Sequence, residues 1–337
     1  LGNLTRILGV PPASAPRGAY GRMQERSNGK DTTTGHWEIA GLVTDEPFRV
    51  FADGFPAELI QAFSRETGRP VIGNIAASGT AIIEELGPEQ LRTGSWIVYT
   101  SADSVFQIAA HEEAIPLTEL YAACKVARRL CDPLKVARII ARPYVGEPGS
   151  FKRTYNRHDF GMPPHGPTLL DRLHEAKLPV VGVGKISDIF SGRGLTESIH
   201  TEGNADGLAK TLERWKRLDS GLLFVNLIDF DMVYGHRRNP RGFADALVEF
   251  DRFLPSLLDA VATGDLFLIT ADHGNDPTYR GTDHTREQVP ILAFGPANAA
   301  GKDLGTRDGF VAAAATIAEA LGASPLASGQ SFYQEIA

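Results

Sequence analysis

The chain has 337 residues, a formal net charge of -7 at pH 7 and a sequence pI of about 5.8. Hydrophobic residues make up 42% and charged residues 22%, the balance of a soluble globular protein long enough for two domains. A basic footprint is missing and no apolar run approaches the roughly 18 residues of a membrane span, so we expect neither nucleic acid nor a membrane as partner.

The first informative stretch is residues 27–41, SNGKDTTTGHWEIAG. Thr is a good N-cap residue, so we expect a helix to begin at Thr32, Thr33 or Thr34. A hydroxyl at that place lies beside free backbone N–H groups and the positive end of the helix dipole, a favourable position for a phosphoryl group. Taken alone, the pattern fits a capping threonine without chemistry equally well.

A separate α/β unit is predicted from about Pro47 to His165. Its predicted elements are a helix over 55–67, a strand or loop over 71–78, a strand over 95–100, a polar loop and helix start over 101–113, a helix over 116–131 and a strand over 136–146. Residues 151–166, FKRTYNRHDFGMPPHG, are too polar for core and form either a solvated basic loop or one that faces a substrate. Arginines such as Arg142, Arg153 and Arg157 suit bidentate recognition of phosphate.

The two cysteines, Cys124 and Cys131, fall in the predicted helix over 116–131. At a helical rise of about 1.5 Å per residue their Cα atoms would lie roughly 10 Å apart, too far for a disulfide. We therefore expect two reduced core cysteines and a protein of the cytoplasm, which is a reducing compartment.

Strands and helices alternate in the remainder of the chain, from Pro167 onwards. The predicted elements are a helix over 168–178, a strand from 179 that ends near Lys185, a helix over 205–218, a strand over 221–230, a helix over 243–263, strands over 266–270 and 291–296, and a helix over 310–322. This alternation predicts a mostly parallel sheet that is covered by helices on both faces.

We expect three strand ends to carry the candidate metal ligands, which are Asp231 with His236, Asp272 with His273, and His284. At the carboxyl ends of strands they would meet in the crevice where α/β folds bind ligands. Five or more N and O ligands are too many for a closed tetrahedral zinc site. They suit two divalent ions that hold the attacking and leaving oxygens of phosphoryl transfer, with a threonine hydroxyl as covalent nucleophile. The alternative is a polar loop with two helix caps.

Four motifs, in this order, resemble the phosphopentomutase family of the alkaline phosphatase superfamily: GKDTTTGHWEIAG, TSADSVFQIAAHEE, DFDMVYGHRRN and TADHGNDPTYRGTDHTREQVPIL. The resemblance implies an α/β fold, with an alkaline phosphatase-like core whose mostly parallel sheet is sandwiched by helices. This metal-binding catalytic core would comprise residues 1–47 and 167–337, and an α/β cap domain that binds substrate would be inserted as residues 48–166.

The resemblance also implies the chemistry. The family consists of isomerases that act in nucleoside and pentose phosphate metabolism. They interconvert ribose 1-phosphate and ribose 5-phosphate, and the deoxy forms of both. It works through a phosphothreonine and a bisphosphate intermediate, with two divalent metal ions, Mn²⁺ above all, and a sugar bisphosphate as activator. The partner of this chain would then be a small phosphorylated pentose.

Residue by residue, the phosphorylated threonine of the family corresponds to Thr32. One metal site corresponds to Asp231, His236 and His284. The other corresponds to Asp272, His273 and Thr32, plus an Asp from the first strand of the fold. The substrate-binding groups of the family resemble Asp103, Arg142 and Arg157 in the cap and Lys185 in the core.

The departure from the family concerns that additional Asp. Its strand precedes the GKDT motif in the family, no matching strand stands ahead of Thr32, and residues 1–8 resemble a later part of the N-terminal region. We expect the opening segment to be absent from this sequence rather than lost by the natural protein, because every other ligand is present. Asp283 is not a ligand in the family pattern, and we expect it to orient His284 or a neighbouring group.

Three other functions remain open at this point. A metal-dependent phosphatase would use the same groups with water as acceptor, a cofactor-independent phosphoglycerate mutase has a similar core and metals, and a metal-binding protein without turnover would lack the additional Asp. Thr in place of the Ser nucleophile of the first two families, together with the cap run YTSADSVFQIAAHEE, favours the pentomutase.

Overall fold

The structure, a computed structural model, describes residues 3–4, 11–101, 103–295 and 299–337. Most of the segment 1–8, compared above with the family, therefore lies outside the described residues. The strands are β1 (Ala19–Gln24), β2 (Val71–Ala76), β3 (Trp96–Thr100), β4 (Val105–His111), β5 (Arg138–Val145), β6 (Lys152–Arg153), β7 (His158–Gly161), β8 (Val180–Val183), β9 (Glu197–Ile199), β10 (Leu222–Val225), β11 (Phe267–Thr270), β12 (Val289–Phe294) and β13 (Asp303–Asp308). The helices are α1 (Thr32–Ile39), α2 (Ala57–Thr67), α3 (Gly79–Thr93), α4 (Leu117–Cys131), α5 (Leu169–Glu175), α6 (Ile186–Ile189), α7 (Asn204–Trp215), α8 (Pro240–Leu258), α9 (Val311–Ala320) and α10 (Tyr333–Ile336).

The chain forms two compact units. The discontinuous unit comprises Leu1–Glu46 and Pro164–Ala337, and the inserted unit comprises Pro47–Pro163. In the described part of the chain, none of the helices combines the length and the apolar character that crossing a membrane needs. Cys124 and Cys131 are both buried and unbonded to each other, as predicted.

The discontinuous unit contains two sheets, one with the order β11-β12-β1-β13 and one with the order β10-β8-β9. The second sheet is wholly parallel, as the alternation of strands and helices predicts. In the first sheet β12 runs antiparallel to both of its neighbours. The cause is the connection from β11 to β12, a fully described loop without the helix that a parallel crossover needs.

Helices cover these sheets. α5, α6 and α7 pack against β8, and α9 packs against β13. Met23 of β1, Ile291 of β12 and Phe310 at the start of α9 are fully buried in one shared apolar core. The predicted class, α/β with sheets flanked by helices, is therefore confirmed, with strand pairing that is mixed rather than mostly parallel in the larger sheet.

The inserted unit is built on one sheet with the order β2-β3-β4-β5-β6, and β7 also pairs with β5. Side chains alternate between the faces of the sheet. Trp96, Phe106 and Ile139 point to one face and share a core with α2 and α4. Ile97 and Tyr99 point to the other face, where they pack with Ile82 and Ile83 of α3.

Two sequence predictions for this unit were wrong. Residues 101–113 do not form a loop and helix start, because 105–111 form β4, a fully buried central strand between β3 and β5. The polar Gln107 and His111 conceal its strand character, although both lie buried on the pleated surface. Residues 151–166 are not wholly loop either, since β6 and β7 both pair with β5.

Candidate active site

Two of the candidate ligands follow β10. The strand ends at Val225, earlier than predicted, and the chain then makes a π-helical turn over Phe230–Gly235. Asp231 lies in this turn and His236 directly follows it, with the His236 backbone N–H donating to the Asp231 carbonyl at 3.0 Å. The turn brings the two side chains together, with Nε2 of His236 3.3 Å from Oδ1 of Asp231.

His284, from the loop between β11 and β12, completes this first cluster. Its Nε2 lies 3.1 Å from Oδ1 of Asp231 and 3.2 Å from Nε2 of His236. The three ligand atoms all lie within 4.8 Å of one another. One carboxylate oxygen and two imidazole nitrogens that converge on one point are a donor set that divalent transition metals accept. These residues therefore fit a metal ion.

The second predicted group lies directly beside the first. Thr32 is the first residue of α1, and its Oγ1 is 3.2 Å from Nε2 of His273. Oδ2 of Asp272, from the same loop, is 3.4 Å from that nitrogen. The His273 ring stacks on the His284 ring with 3.7 Å between centroids. The structure thus brings all six sequence-predicted metal ligands together in the discontinuous unit.

Backbone carbonyls orient the three imidazoles. Nδ1 of His284 is 2.8 Å from the Lys30 carbonyl, and Nδ1 of His236 is 2.6 Å from the Thr282 carbonyl. Nδ1 of His273 is 3.1 Å from the Gly274 carbonyl. A carbonyl only accepts, so each Nδ1 carries the proton and donates. With Nδ1 donating, Nε2 is the ring nitrogen that faces the cluster and can ligate a metal ion.

Both carboxylates of the site are held in the ionised form. Burial opposes the charge on Asp231, but the hydrogen bond and charge of His284 outweigh it and lower the pKa of Asp231. Burial likewise opposes the charge on Asp272, yet the neighbouring His36 and His273 hold its pKa well below the usual range. Ionised carboxylates are the form that binds cations.

His36 is a site residue that the sequence reasoning missed. It lies one helical turn after Thr32, and only 3% of it is exposed. Its Nδ1 is 2.9 Å from the Thr32 carbonyl and 3.0 Å from Oδ2 of Asp272. His36 thus ties the start of α1 to the loop after β11. The sequence contained a signal for His36, because a residue four positions after Thr32 on a helix lies on the same helical face.

Asp283 holds a neighbouring group rather than the His284 ring. Its carboxylate pairs with Nζ of Lys30 at 2.7 Å and accepts the backbone N–H of His284 at 2.8 Å. The Lys30 ammonium also donates to the His284 carbonyl at 2.8 Å. Asp283 therefore fixes Lys30, whose own carbonyl in turn fixes the ring of His284.

Gly35 sets how closely α1 approaches the loop after β11. A Cβ added at Gly35 would lie 1.8 Å from the Asp272 carbonyl oxygen, which is backbone and has no room to yield. We expect Gly35→Ala to cost about 1–3 kcal/mol of stability, as overpacking does. Because α1 carries Thr32, we also expect turnover to fall about 100-fold, as it does when reacting groups are misplaced by an ångström.

Denaturant unfolding and steady-state turnover with a divalent metal ion added would measure both effects. Gly295→Ala is the matched control, because its Cβ would meet a Leu266 side-chain carbon at an ordinary 3.4 Å. That control should lie within about 0.5 kcal/mol of the parent protein. A Gly35→Ala protein with unchanged stability and turnover would contradict the close approach described here.

Three of the four predicted substrate residues line one cavity of about 320 Å³ in the inserted unit. Asp103, Arg142 and Arg157 all contribute to its wall. Nε of Arg142 donates to Gln107 at 3.0 Å, and Arg157 makes a two-pronged contact with the Asp159 carboxylate at 2.6 and 2.8 Å. The other lining residues are Ala77, Ser78, Gly79, Tyr99, Ser101, Val105, Gln107, Arg138, Ile140 and Arg153.

Lys185, the fourth predicted substrate residue, lies in the discontinuous unit. It is exposed and stands between β8 and α6. β8 pairs in parallel with β10, with Val183 opposite Val225, so Lys185 and the turn that carries Asp231 follow the same edge of the sheet. This edge is where α/β sheets bind their ligands.

Comparison with known proteins assigns this chain to a family. A family model described as the metalloenzyme superfamily matches residues 66–325. The phosphopentomutase of Anaeromyxobacter dehalogenans (strain 2CP-C) is 60% identical over 323 residues, which are 96% of this chain and 82% of that protein. The phosphopentomutase of Alkaliphilus metalliredigens is 53% identical over 98% of this chain and 85% of its own length, and that of Kosmotoga olearia is 53% identical over 100% and 87%.

One solved structure shares the fold. The PH0037 protein from Pyrococcus horikoshii superimposes with a TM-score of 0.50 at 16% sequence identity, covering 93% of this chain and 90% of that one. At this identity the likeness concerns architecture alone. Together with the match to the metalloenzyme superfamily it confirms the predicted fold class.

Proposed function

This chain belongs to the phosphopentomutase family, isomerases of the metalloenzyme superfamily, and we propose that it interconverts the 1-phosphate and 5-phosphate of ribose and deoxyribose. The observation that carries the proposal is the convergence of Thr32 with two adjoining ligand groups in one unit. The Thr32 hydroxyl is 3.2 Å from His273, whose ring stacks on His284 of the first cluster. A nucleophile beside such ligands suits phosphoryl transfer.

Thr32 is the favoured nucleophile of the three consecutive threonines. Thr34 is fully buried, and its hydroxyl donates to the Asp31 carboxylate at 2.6 Å while its backbone N–H donates to the same side chain. Asp31 and Thr34 therefore cap α1, which leaves Thr32 at the first helical position with its hydroxyl toward His273. A phosphoryl group there would lie near the positive end of the helix dipole.

Two divalent ions, with Mn²⁺ as our choice, would be held by the two ligand groups. Asp231, His236 and His284 would hold one, and Asp272, His273 and Thr32 would contribute to the other. Bound there, the ions would supply positive charge that polarises a phosphoryl group and favours ionisation of a hydroxyl.

The reaction then proceeds by exchange of phosphoryl groups at Thr32. The bond between Oγ1 and phosphorus in phosphothreonine breaks as phosphorus bonds to the free hydroxyl oxygen of a pentose monophosphate, whose proton passes to the Thr32 oxygen, and a sugar bisphosphate results. Thr32 next takes the other phosphoryl group, as its oxygen bonds to phosphorus and the sugar ester bond breaks. A sugar bisphosphate from solution would prime the resting enzyme in the same way, and so act as activator.

We further propose that the inserted unit is the substrate domain, and that the enzyme works in the cytoplasm on a small phosphorylated pentose. Asp103, Arg142 and Arg157 would bind the sugar phosphate in the cavity of this unit, and Lys185 would contact phosphate from the discontinuous unit. Asp103 is exposed, and its carboxylate accepts hydrogen bonds, so it suits a sugar hydroxyl as partner. The guanidinium groups suit the phosphate oxygens.

One assay tests the function as a whole. Full-length protein is incubated with ribose 5-phosphate, Mn²⁺ and a catalytic amount of sugar bisphosphate, and ribose 1-phosphate is separated from free ribose and inorganic phosphate. We expect ribose 1-phosphate, formed only with metal and at a rate that a chelator abolishes. Free ribose with inorganic phosphate would instead indicate a phosphatase, and unchanged substrate a protein without this turnover. Conversion of 3-phosphoglycerate instead would indicate a phosphoglycerate mutase.

A further inference from the structure

The cavity of the inserted unit holds a buried hydroxyl whose purpose the fold does not explain. Tyr99 of β3 is 1% exposed, and its ring packs among Ile82, Ile97 and Tyr144. Its hydroxyl oxygen is buried and finds no hydrogen-bond partner among the described residues. A phenylalanine would fill the same apolar space without leaving a buried hydroxyl unpaired, which is unfavourable.

The hydroxyl lies at the N-terminus of α3. A Cβ added to Gly79, the first residue of that helix, would lie 2.6 Å from the Tyr99 oxygen and 3.7 Å from Nη1 of Arg153. Glycine therefore keeps open the space between the helix terminus, the hydroxyl and the guanidinium. A side chain at this position would fill it.

The first turn of α3 also lacks a side-chain cap. The N-cap residue Ser78 makes no capping hydrogen bond, and its hydroxyl lies 3.0 Å from that of Thr80 instead. Over the 15 residues of α3 the backbone dipoles align, so the uncapped N–H groups present positive charge to the cavity. An anion there would accept from these groups and from the hydroxyl of Tyr99 together.

Arginines supply the remaining charge. Arg138, Arg142, Arg153 and Arg157 line the same cavity, where Asp103 is the lining carboxylate and Asp159 pairs with Arg157 and, at 3.7 Å, with Arg138. Burial raises the pKa of Tyr99, and the positive charges of Arg142, Arg153 and Arg157 act against that rise. Several guanidinium groups, a hydroxyl and a helix terminus around one space match the several acceptor oxygens and double charge of a phosphate monoester.

We propose that Tyr99, Arg153 and the N-terminus of α3 at Gly79 form the phosphate-recognition part of this cavity. They would bind the phosphoryl group that is not being transferred, and Tyr99 would donate its hydroxyl hydrogen to a phosphate oxygen. The inference rests on the proposed function in that it takes the ligand to be a pentose phosphate. It adds residues that the family resemblance did not bring forward.

Tyr99→Phe tests this assignment, because it removes one oxygen and keeps the ring. Loss of a hydrogen bond to a charged group predicts a roughly 10- to 100-fold weaker binding of ribose 5-phosphate in calorimetry. The melting temperature should be unchanged or higher, since an unpaired buried hydroxyl is removed. Hydrolysis of 4-nitrophenyl phosphate, whose single phosphoryl group must be the one transferred, should keep its rate.

Tyr144→Phe is the matched control. Tyr144 is equally buried in the same apolar cluster, but its hydroxyl donates to Gln90 at 2.9 Å and does not line the cavity. Tyr144→Phe should leave the affinity for ribose 5-phosphate unchanged. Arg153→Met, by contrast, should weaken that affinity as Tyr99→Phe does. Calorimetry needs no turnover, so it separates this proposal from the mutase assay. Equal affinity of Tyr99→Phe and the parent protein, or a parent protein that does not bind ribose 5-phosphate, would overturn the proposal.

Discussion

Replacing Thr32 with valine is expected to lower mutase turnover by about 10,000-fold or more, the scale seen when a covalent nucleophile is removed. Valine has nearly the same shape as threonine and fits the first position of α1, so the helix should form as before. The loss should lie in the catalytic rate, because the remaining five ligands still converge. Turnover of ribose 5-phosphate with saturating Mn²⁺ measures it, and bound metal is counted in parallel.

Thr33→Val is the control for this prediction. It makes the same chemical change one residue further along α1, where the helix turns the side chain about 100° around its axis from that of Thr32, and it should retain most of the turnover. The assignment of the nucleophile is wrong if the Thr32 variant keeps its activity, or if the Thr33 variant loses it.

Replacing Asp272 with asparagine is expected to lower turnover by about 1,000-fold, a loss comparable to that caused by removing one strong electrostatic contact in an active site. The substitution keeps the shape but removes the negative charge, which lies 3.0 Å from His36 and 3.4 Å from His273. An amide is a poor ligand for a transition metal that prefers carboxylate and imidazole. Metal content, and turnover measured over a range of Mn²⁺ concentrations, should both be lower in this variant than in the parent protein.

The protein should nevertheless stay folded, since Asp272 lies in a loop rather than in an apolar core. Asp276→Asn is the matched control, because Asp276 is in the same loop but exposed, and its carboxylate accepts hydrogen bonds from the backbone N–H and the hydroxyl of Thr278. Cooperative melting should be retained in both variants. If the Asp272→Asn protein keeps most of its mutase activity when metal is supplied, the role given to this carboxylate is wrong.

The site was largely predictable from the sequence because its ligands follow apolar strands and a capped helix. Asp272 follows β11 and Thr32 begins α1, and both places were expected from local patterns. The family resemblance supplied the division into two ligand groups. The structure adds that three backbone carbonyls hold Nδ1 of His236, His273 and His284, which leaves Nε2 of each ring facing the cluster. Such contacts depend on the path of the backbone, which residue types do not encode.

What the sequence did not yield depends on contacts between distant segments. β4 was missed because Gln107 and His111 look polar in sequence, while in the sheet Gln107 meets Arg142 and His111 meets the Gly146 carbonyl. In the sequence His36 looks like any other helical residue, because its partner Asp272 lies more than 200 residues away along the chain. Burial and pairing of this kind are set by tertiary structure, which overrides local propensity.

Above all, we propose that Thr32 carries the phosphoryl group. Its most direct test is the intact mass of the full-length protein after incubation with a pentose bisphosphate and Mn²⁺, followed by peptide mapping. We expect one added phosphoryl group on Thr32, which is lost on later addition of ribose 5-phosphate as sugar bisphosphate forms. A phosphoryl group on Thr33 or Thr34, or none on a protein that turns over, would contradict it.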